Sequence, residues 1–173
     1  MKTEERLEKL ESALTALNGE LRTRKVVIVD EKGKSRAILS TEDGHGSGLI
    51  LYDEHGKRRV GLNVTTEGTG LVIFDENGCV CASLSETHSE PALRMFDTTG
   101  KNRVLLRETK EGTGLTLCDE NGKTRVGLTA TKDGPMLILS DENGNPRAFI
   151  VSHQNVTGLV LSDKNGKVLW RTP

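Results

Sequence analysis

The sequence predicts an all-β fold: seven β-hairpin repeats of 22 residues that form an elongated rod, preceded by a short N-terminal coiled-coil helix. An Asp-x-x-Gly turn recurs at a nearly constant interval, and apolar residues alternate with polar ones on both sides of each turn. A run of leucines with heptad spacing precedes the first turn. A period this regular indicates a modular architecture in which each unit packs on its neighbours. We therefore divide the chain into a helix over residues 1–24 and a β-repeat rod over residues 25–173.

The N-terminal helix is predicted from five leucines separated by 3, 4, 3 and 4 residues. This spacing is the a/d stripe of a coiled coil, and good helix formers fill the positions between. Two interpretations remain open, because the stripe could pair with other copies of the chain or dock on the sheet of its own chain. Leucine at both a and d does not distinguish a dimer from a trimer. The leucines are Leu7, Leu10, Leu14, Leu17 and Leu21.

Seven Asp-x-x-Gly segments predict tight hairpin turns. The Asp side chain accepts hydrogen bonds from nearby backbone N–H groups, and the Gly adopts the positive φ that lets the chain re-enter a strand ladder. A second, looser turn follows each unit, as at residues 66–70, so the chain should form about fourteen antiparallel strands. The segments start at Asp30, Asp53, Asp75, Asp97, Asp119, Asp141 and Asp163 and end at Gly33, Gly56, Gly78, Gly100, Gly122, Gly144 and Gly166.

One face of every strand is predicted to be apolar. In the unit that spans residues 48–69, Leu49 and Leu51 share a face of the first strand, and Val60 and Leu62 share the corresponding face of the second. Alternation with a period of two indicates strands with one buried face. Later units carry Leu71 and Ile73, Ala82 and Leu84, Leu93 and Met95, Val104 and Leu106, Leu115 and Leu117, Val126 and Leu128, Leu137 and Leu139, Ala148 and Ile150, and Leu159 and Leu161 at the equivalent positions.

The net charge, the apolar runs and the N-terminal pattern indicate which classes of protein this chain does not resemble. The net charge of -1 gives no broad attraction to nucleic acid or to an anionic membrane. No apolar run approaches the roughly 20 residues of a membrane span, and the charged, heptad-patterned N-terminus differs from a signal peptide. These features predict a cytoplasmic protein, or an extracellular or virion protein if the chain is part of a fibre.

The residue pattern gives little indication of chemistry. Cys79 and Cys81 lie two residues apart on a strand, and with His55 or His88 they are weak candidates for metal ligands. Structural zinc sites usually bring two paired knuckles, so we interpret the cysteines as surface substitutions. No Ser, His and acid group converges by pattern, and no phosphate-binding loop precedes a helix. We predict no catalytic residue, no cofactor site and no enzymatic activity.

The extent of the apolar face favours an assembly of three chains. Fourteen strands of five to six residues form a ribbon roughly 18 Å wide and about 65 Å long. Three such ribbons with their apolar faces inward enclose a prism with an inscribed radius of about 5 Å, which leucine side chains can fill. A closed fourteen-strand barrel would be too wide to fill. The predicted self-association residues are Leu7, Leu10, Leu14, Leu17, Leu21, Leu49, Leu51, Leu71, Leu93, Leu115, Leu117, Leu137 and Leu159, with Trp170 closing the end of the stack.

This plan resembles trimeric fibre proteins such as phage tail fibres, viral fibre shafts and trimeric adhesin stalks, which also join a short coiled coil to β repeats. The resemblance covers the whole chain at the level of plan, and the repeat matches no particular shaft. It implies a homotrimeric β-prism or a β-solenoid-like rod, and it leaves open whether strands stay on one prism face or wind between faces. The implied role is a non-enzymatic structural or scaffold protein, a fibre or stalk segment whose partner is itself.

A binding module is the alternative function. The face opposite the leucines carries repeated arginines and an aromatic residue in each of three consecutive units, and these rows could meet a glycan or protein partner. An exposed aromatic patch would favour this alternative, whereas rings covered by arginine stems would favour a plain stalk. The aromatic residues are Tyr52, Phe74 and Phe96, and the arginines are Arg36, Arg59, Arg103, Arg125 and Arg147.

Overall fold

The computed structural model describes residues 3–16, 22–41, 46–153 and 156–172. Within these ranges one helix, α1 (Thr3–Ala16), is followed by fourteen strands. The predicted leucines Leu17 and Leu21 lie outside the described residues. The strands are β1 (Lys25–Val29), β2 (Ser35–Ser40), β3 (Ser47–Tyr52), β4 (Arg58–Val64), β5 (Gly68–Phe74), β6 (Val80–Thr87), β7 (Glu90–Phe96), β8 (Asn102–Thr109), β9 (Gly112–Cys118), β10 (Thr124–Thr131), β11 (Gly134–Ser140), β12 (Pro146–His153), β13 (Val156–Ser162) and β14 (Val168–Arg171).

All fourteen strands form a single antiparallel sheet in the order of the sequence, from β1 to β14. Each strand contacts only its neighbours in the sequence, and the two edge strands do not pair, so the sheet is open. The predicted all-β chain with fourteen antiparallel strands is therefore confirmed. We number the hairpins closed by Asp turns as units one (β1–β2) to seven (β13–β14).

The seven Asp turns share one hydrogen-bond pattern, shown here for unit five. The backbone N–H of Asp119 donates to the carbonyl of Lys123 at 2.9 Å, and the N–H of Gly122 donates to the carbonyl of Asp119 at 3.0 Å. Asp119 Oδ1 also accepts from the N–H groups of Asn121 and Lys123 at 2.9 and 3.0 Å. The Asp carboxylate thus replaces the backbone acceptors that the turn lacks, and the Gly has a φ of +80°.

A β-bulge follows each Asp turn. In unit five, Leu117 pairs with Val126 and Cys118 pairs with Thr124, so Arg125 has no cross-strand partner. The extra residue disrupts the ladder locally and increases the twist of the hairpin. The bulged residues are Arg36, Arg59, Cys81, Arg103, Arg125, Arg147 and Leu169.

The turns between units bring the chain close to the next strand. Gly112 at the start of β9 has a φ of +139°, and a Cβ on it would lie 2.2 Å from the carbonyl oxygen of Ala130. Thr109 Oγ1 supports this turn by donating to the carbonyl of Gly112 at 3.2 Å. The turn between β6 and β7 instead places His88 and Ser89 at φ values of +54° and +66°, which is a two-residue hairpin of type I′ geometry.

The sheet has almost no buried core in a single chain. Among the described residues the buried apolar ones are Ala37 and Ala92, and no large side chain is fully buried. A sheet with one apolar face normally packs that face against another layer. Here each strand packs only against the strands beside it, so the chain supplies no such layer within the described ranges.

Candidate oligomerisation surface

Two continuous apolar rows cross the sheet on one face, which we name the leucine face. In each hairpin the two residues of a row lie directly opposite each other, as Leu106 does with Leu115 and Val104 with Leu117. The first row contains Val26, Leu39, Leu49, Leu62, Leu71, Leu84, Leu93, Leu106, Leu115, Leu128, Leu137, Ile150 and Leu159. The second contains Ile28, Ala37, Leu51, Val60, Ile73, Ala82, Met95, Val104, Leu117, Val126, Leu139, Ala148, Leu161 and Trp170.

The leucine face is open to solvent in the single chain. The alternate large residues of the two rows are exposed, from 36% at Leu117 to 59% at Ile28. Direct cross-strand contact covers only the flanks of these side chains. A continuous apolar surface of this length is far larger than the scattered exposed leucines of an ordinary monomer and is typical of an interaction surface.

The predicted self-association residues divide between the sheet and the helix. All those in the β region lie on the leucine face, and Trp170 is the last residue of the second row, opposite Leu161. In α1, Leu7 and Leu10 are exposed. The helix packs against none of the strands within the described ranges, so docking on its own sheet is not seen there. In this part of the chain no helix has the length and apolar character needed to cross a membrane.

Three of the bulged arginines connect their unit to the next one. Arg125 Nη1 lies 3.6 Å from Asp119 Oδ2 in its own turn, and Arg125 Nε donates to the carbonyl of Ser140 in unit six at 2.9 Å. Arg103 and Arg147 make the equivalent bonds. Strict alternation of side chains along a strand predicts that these arginines lie on the outer face. It does not predict their bonds to the turn Asp and to the next unit, because those bonds depend on the bulge. The signal that could have identified them is an Arg six residues after five of the seven turn Asp residues.

Lysines make a second set of bonds between units. Lys57 Nζ donates to the carbonyl of Glu76 at 2.7 Å, and Lys101 Nζ donates to the carbonyl of Glu120 at 2.8 Å. Unit three has Cys79 in the lysine position and Cys81 in the arginine position. The link from unit three to unit four therefore lacks both of these bonds, and it depends on the ladder between β6 and β7 and on a hydrogen bond from Arg94 on β7 to Ser85 on β6.

Hydrogen bonds hold the carboxyl groups of several turns in the charged form. The backbone N–H of Lys57 is the main influence that lowers the pKa of Asp53, and the hydroxyl of Thr99 does the same for Asp97. At Asp119 the largest influence is burial, which raises the pKa. The N–H groups of the turn and the nearby Arg125 outweigh it, so the pKa of Asp119 is also lowered.

The face opposite the leucine face contains both apolar and polar residues. One cross-strand row on this face runs from Ile38 and Ile50 through Gly61 and Val72 to polar residues in the middle of the chain. Arg94 continues this row and donates from Nη1 to Ser85 Oγ at 3.1 Å. The aromatic residues Tyr52, Phe74 and Phe96 are half-buried, so their rings are neither fully covered nor fully exposed.

The cysteines do not form a metal centre in the described part of the chain. Cys79 is exposed, Cys81 and Cys118 are half-exposed, and all are free thiols. Cys81 Sγ lies 3.5 Å from the carbonyl oxygen of Ile73. His55 lies in a different unit and pairs with Glu54 at 3.5 Å. No group of three His, Cys, Asp or Glu side chains suited to a metal occurs among the described residues.

Comparison with known proteins gives no family. No family model and no curated protein matches the chain. Among solved structures, it is similar to a mutant of TarM from S. aureus in complex with fondaparinux, alpha-GlcNAc-glycerol and UDP, with 10% identity and a TM-score of 0.30. This match covers 82% of the chain and 22% of TarM. A second match, to the Tc holotoxin pore of Photorhabdus luminescens, has 12% identity and a TM-score of 0.20, and covers 88% and 7% of the two chains. Neither match defines the fold or the role of this chain.

Proposed function

We propose that this chain is a non-enzymatic structural protein that forms a fibre or stalk segment as a homotrimer. The observation that carries the proposal is the leucine face, which is apolar from β1 to β14 and exposes the alternate large residues of its two rows to solvent. Burying apolar surface stabilises by about 25 cal/mol per Å². The single chain gains little of this from its own packing, so a partner that covers the face supplies the missing core.

A second copy of the chain is the partner that best fits this face. The two rows repeat with the spacing of the strands, and another copy carries apolar rows with the same spacing. The exposed leucines of α1 provide a further apolar stripe for self-association, and a helix of 14 residues needs such packing because it is marginal alone.

In the proposed trimer, the side chains of the two apolar rows of each copy fill the interior of the prism. Strands about 18 Å long enclose a triangular core with a radius of about 5 Å, the reach of a leucine. The rows consist of Leu, Val, Ile, Ala and Met until Trp170, the single large ring, at the end of the second row. The closed prism is therefore filled without large aromatic side chains.

The proposal is tested by mass and shape in solution. Three chains of 18.8 kDa give 3 × 18.8, or about 56 kDa, by light scattering and sedimentation. Small-angle scattering should show a rod at least about 65 Å long, because fourteen strands are spaced by about 4.8 Å. A monomer at micromolar concentration would refute self-association, and a dimer would refute the prism.

A further inference from the structure

A groove of about 610 Å³ lies on the face opposite the leucine face, across the first three units. Its floor is the cross-strand row of Ile38, Ile50, Gly61 and Val72. Phe74 forms one wall, since its Cε2 atom lies 3.7 Å from the position that a Cβ on Gly61 would take. The polar groups that line the groove are Ser40, Ser47, Arg58 and Asn63.

The groove exists because a glycine and an aromatic ring meet in one place. In later units the position of Gly61 holds side chains such as Leu105 and Phe149. Gly127 on β10 is the other glycine at this position, but the next strand, β11, has Ser140 where β5 has Phe74. Gly61 on β4, which has no side chain to fill the groove, therefore lies beside the ring of Phe74 on β5.

Phe74, which lines the groove, is the middle residue of an aromatic row with a regular repeat. Tyr52, Phe74 and Phe96 end β3, β5 and β7, so neighbouring rings are two strands apart. At about 4.8 Å per strand this separation is about 9.6 Å. One turn of a polyproline II helix has three residues and advances about 9.3 Å. A bound β-strand would instead repeat its side chains every ~6.8 Å and would lose register with the rings.

We propose that this groove and its aromatic row bind a proline-rich segment in the polyproline II conformation, with an acidic residue of that segment beside Arg58. Proline rings pack between aromatic side chains in recognition of this kind, and the preformed helix loses little entropy on binding. The backbone carbonyls of the segment have no internal partners. The amide of Asn63, which lies on the same face of β4 as Gly61, is placed to donate to them.

Arg58 supplies the charge preference. It is exposed, and no ion pair to it occurs among the described residues, whereas the neighbouring Arg59 pairs with Asp53 at 3.8 Å. A guanidinium with free donors pairs well with a carboxylate. The groove lies on the face away from the leucine rows, so this binding site does not depend on the trimer.

The test is fluorescence polarisation with a labelled peptide of ten prolines flanked by aspartates. The control peptide replaces the prolines with alternating Gly and Ser and keeps the aspartates. Saturable binding of the proline peptide and none of the control is expected up to about 1 mM peptide. Gly61→Leu fills the groove, and Phe74→Ser introduces the residue found at Ser140 and Ser162. Each should weaken binding at least roughly tenfold.

Gly127→Leu is the matched control, because it adds the same side chain at the equivalent position of a unit without an aromatic wall. It should bind the peptide as the unchanged chain does, within about twofold. The circular dichroism spectrum of every variant must match that of the unchanged chain. If Gly61→Leu fails to fold, Phe74→Ser tests the groove in its place. The proposal is wrong if neither peptide binds, if both bind equally, or if Gly127→Leu is as damaging as Gly61→Leu. It is also wrong if an anionic oligosaccharide such as hexagalacturonate binds the groove and the proline peptide does not.

Discussion

Replacing Gly112 by Ala should destabilise the sheet far more than replacing Gly122 by Ala. At Gly112 the φ of +139° is one that L residues rarely adopt, and the new Cβ would lie 2.2 Å from the carbonyl oxygen of Ala130. That oxygen belongs to the backbone of β10, so no side-chain rotation relieves the overlap. The ends of β9 and β10 must separate, although Thr131 and Gly112 are paired there.

The expected magnitude follows from two costs. A backbone strained in this way costs about 1–3 kcal/mol. Separating the strand ends removes one or two ladder hydrogen bonds, each with a net value of about 1 kcal/mol. Gly112→Ala should therefore cost about 2–5 kcal/mol. Gly122 has a φ of +80° and no atom within 4 Å of its added Cβ, so Gly122→Ala should cost only the conformational strain, about 1–2 kcal/mol.

The assay is urea unfolding followed by circular dichroism at one fixed protein concentration, because unfolding of an oligomer depends on concentration. A third variant, Gly122→Asn, should recover much of the loss at that position, since Asn tolerates the left-handed region. If Gly112→Ala and Gly122→Ala lower the free energy of unfolding equally, the close approach of β10 to the turn is wrong.

Three further predictions test the faces, the modular packing and the turn carboxylates. Leu115→Asp should lower the melting temperature and the mass in solution far more than Thr116→Asp, because an unpaired carboxylate is costly only where the leucine face is covered; equal effects would mean that the faces are wrongly assigned. Deletion of residues 114–135 removes one period and joins equivalent positions, so the product should remain folded and oligomeric and be about 10 Å shorter by small-angle scattering, and an unfolded product would contradict the modular rod. The pKa of Asp97 is lowered in the fold, so its stabilising contribution is complete above the unfolded pKa of about 3.9 and is lost as pH falls through the lower folded value. Asp97→Asn should therefore lose less stability than the unchanged chain between pH 7 and pH 3, and parallel melting curves would argue against this role.

The sequence predicts the strands well because the turns and the alternation are both local signals. Asp119 and Gly122 mark a hairpin without reference to the rest of the chain, and the leucines on either side mark one face. The bulge at Arg125 was not predictable in this way, because it depends on which residues pair across two strands. The contact between Gly112 and Ala130 was missed for the same reason, since it joins two strands through space.

The sequence pattern also did not predict the groove on the face opposite the leucine face. The three aromatic residues were visible as a row, but the gap beside Phe74 requires that Gly61 lie next to it across β4 and β5. In the sequence alone, a glycine within a strand is equally consistent with a position that only weakens the strand.

The bonds between units determine how the sheet responds to a pulling force. The strands lie across its long dimension, so a force that pulls the two ends apart loads the inter-strand ladders one after another and not all at once. Each unit that yields releases 22 residues, a contour length of about 75 Å. Unit three has neither the lysine nor the arginine at the equivalent positions, and the hydrogen bond from Arg94 to Ser85 spans its boundary with unit four instead. Such a chain would lengthen in steps and dissipate load, which is the behaviour of an extensible tether rather than of a stiff spacer.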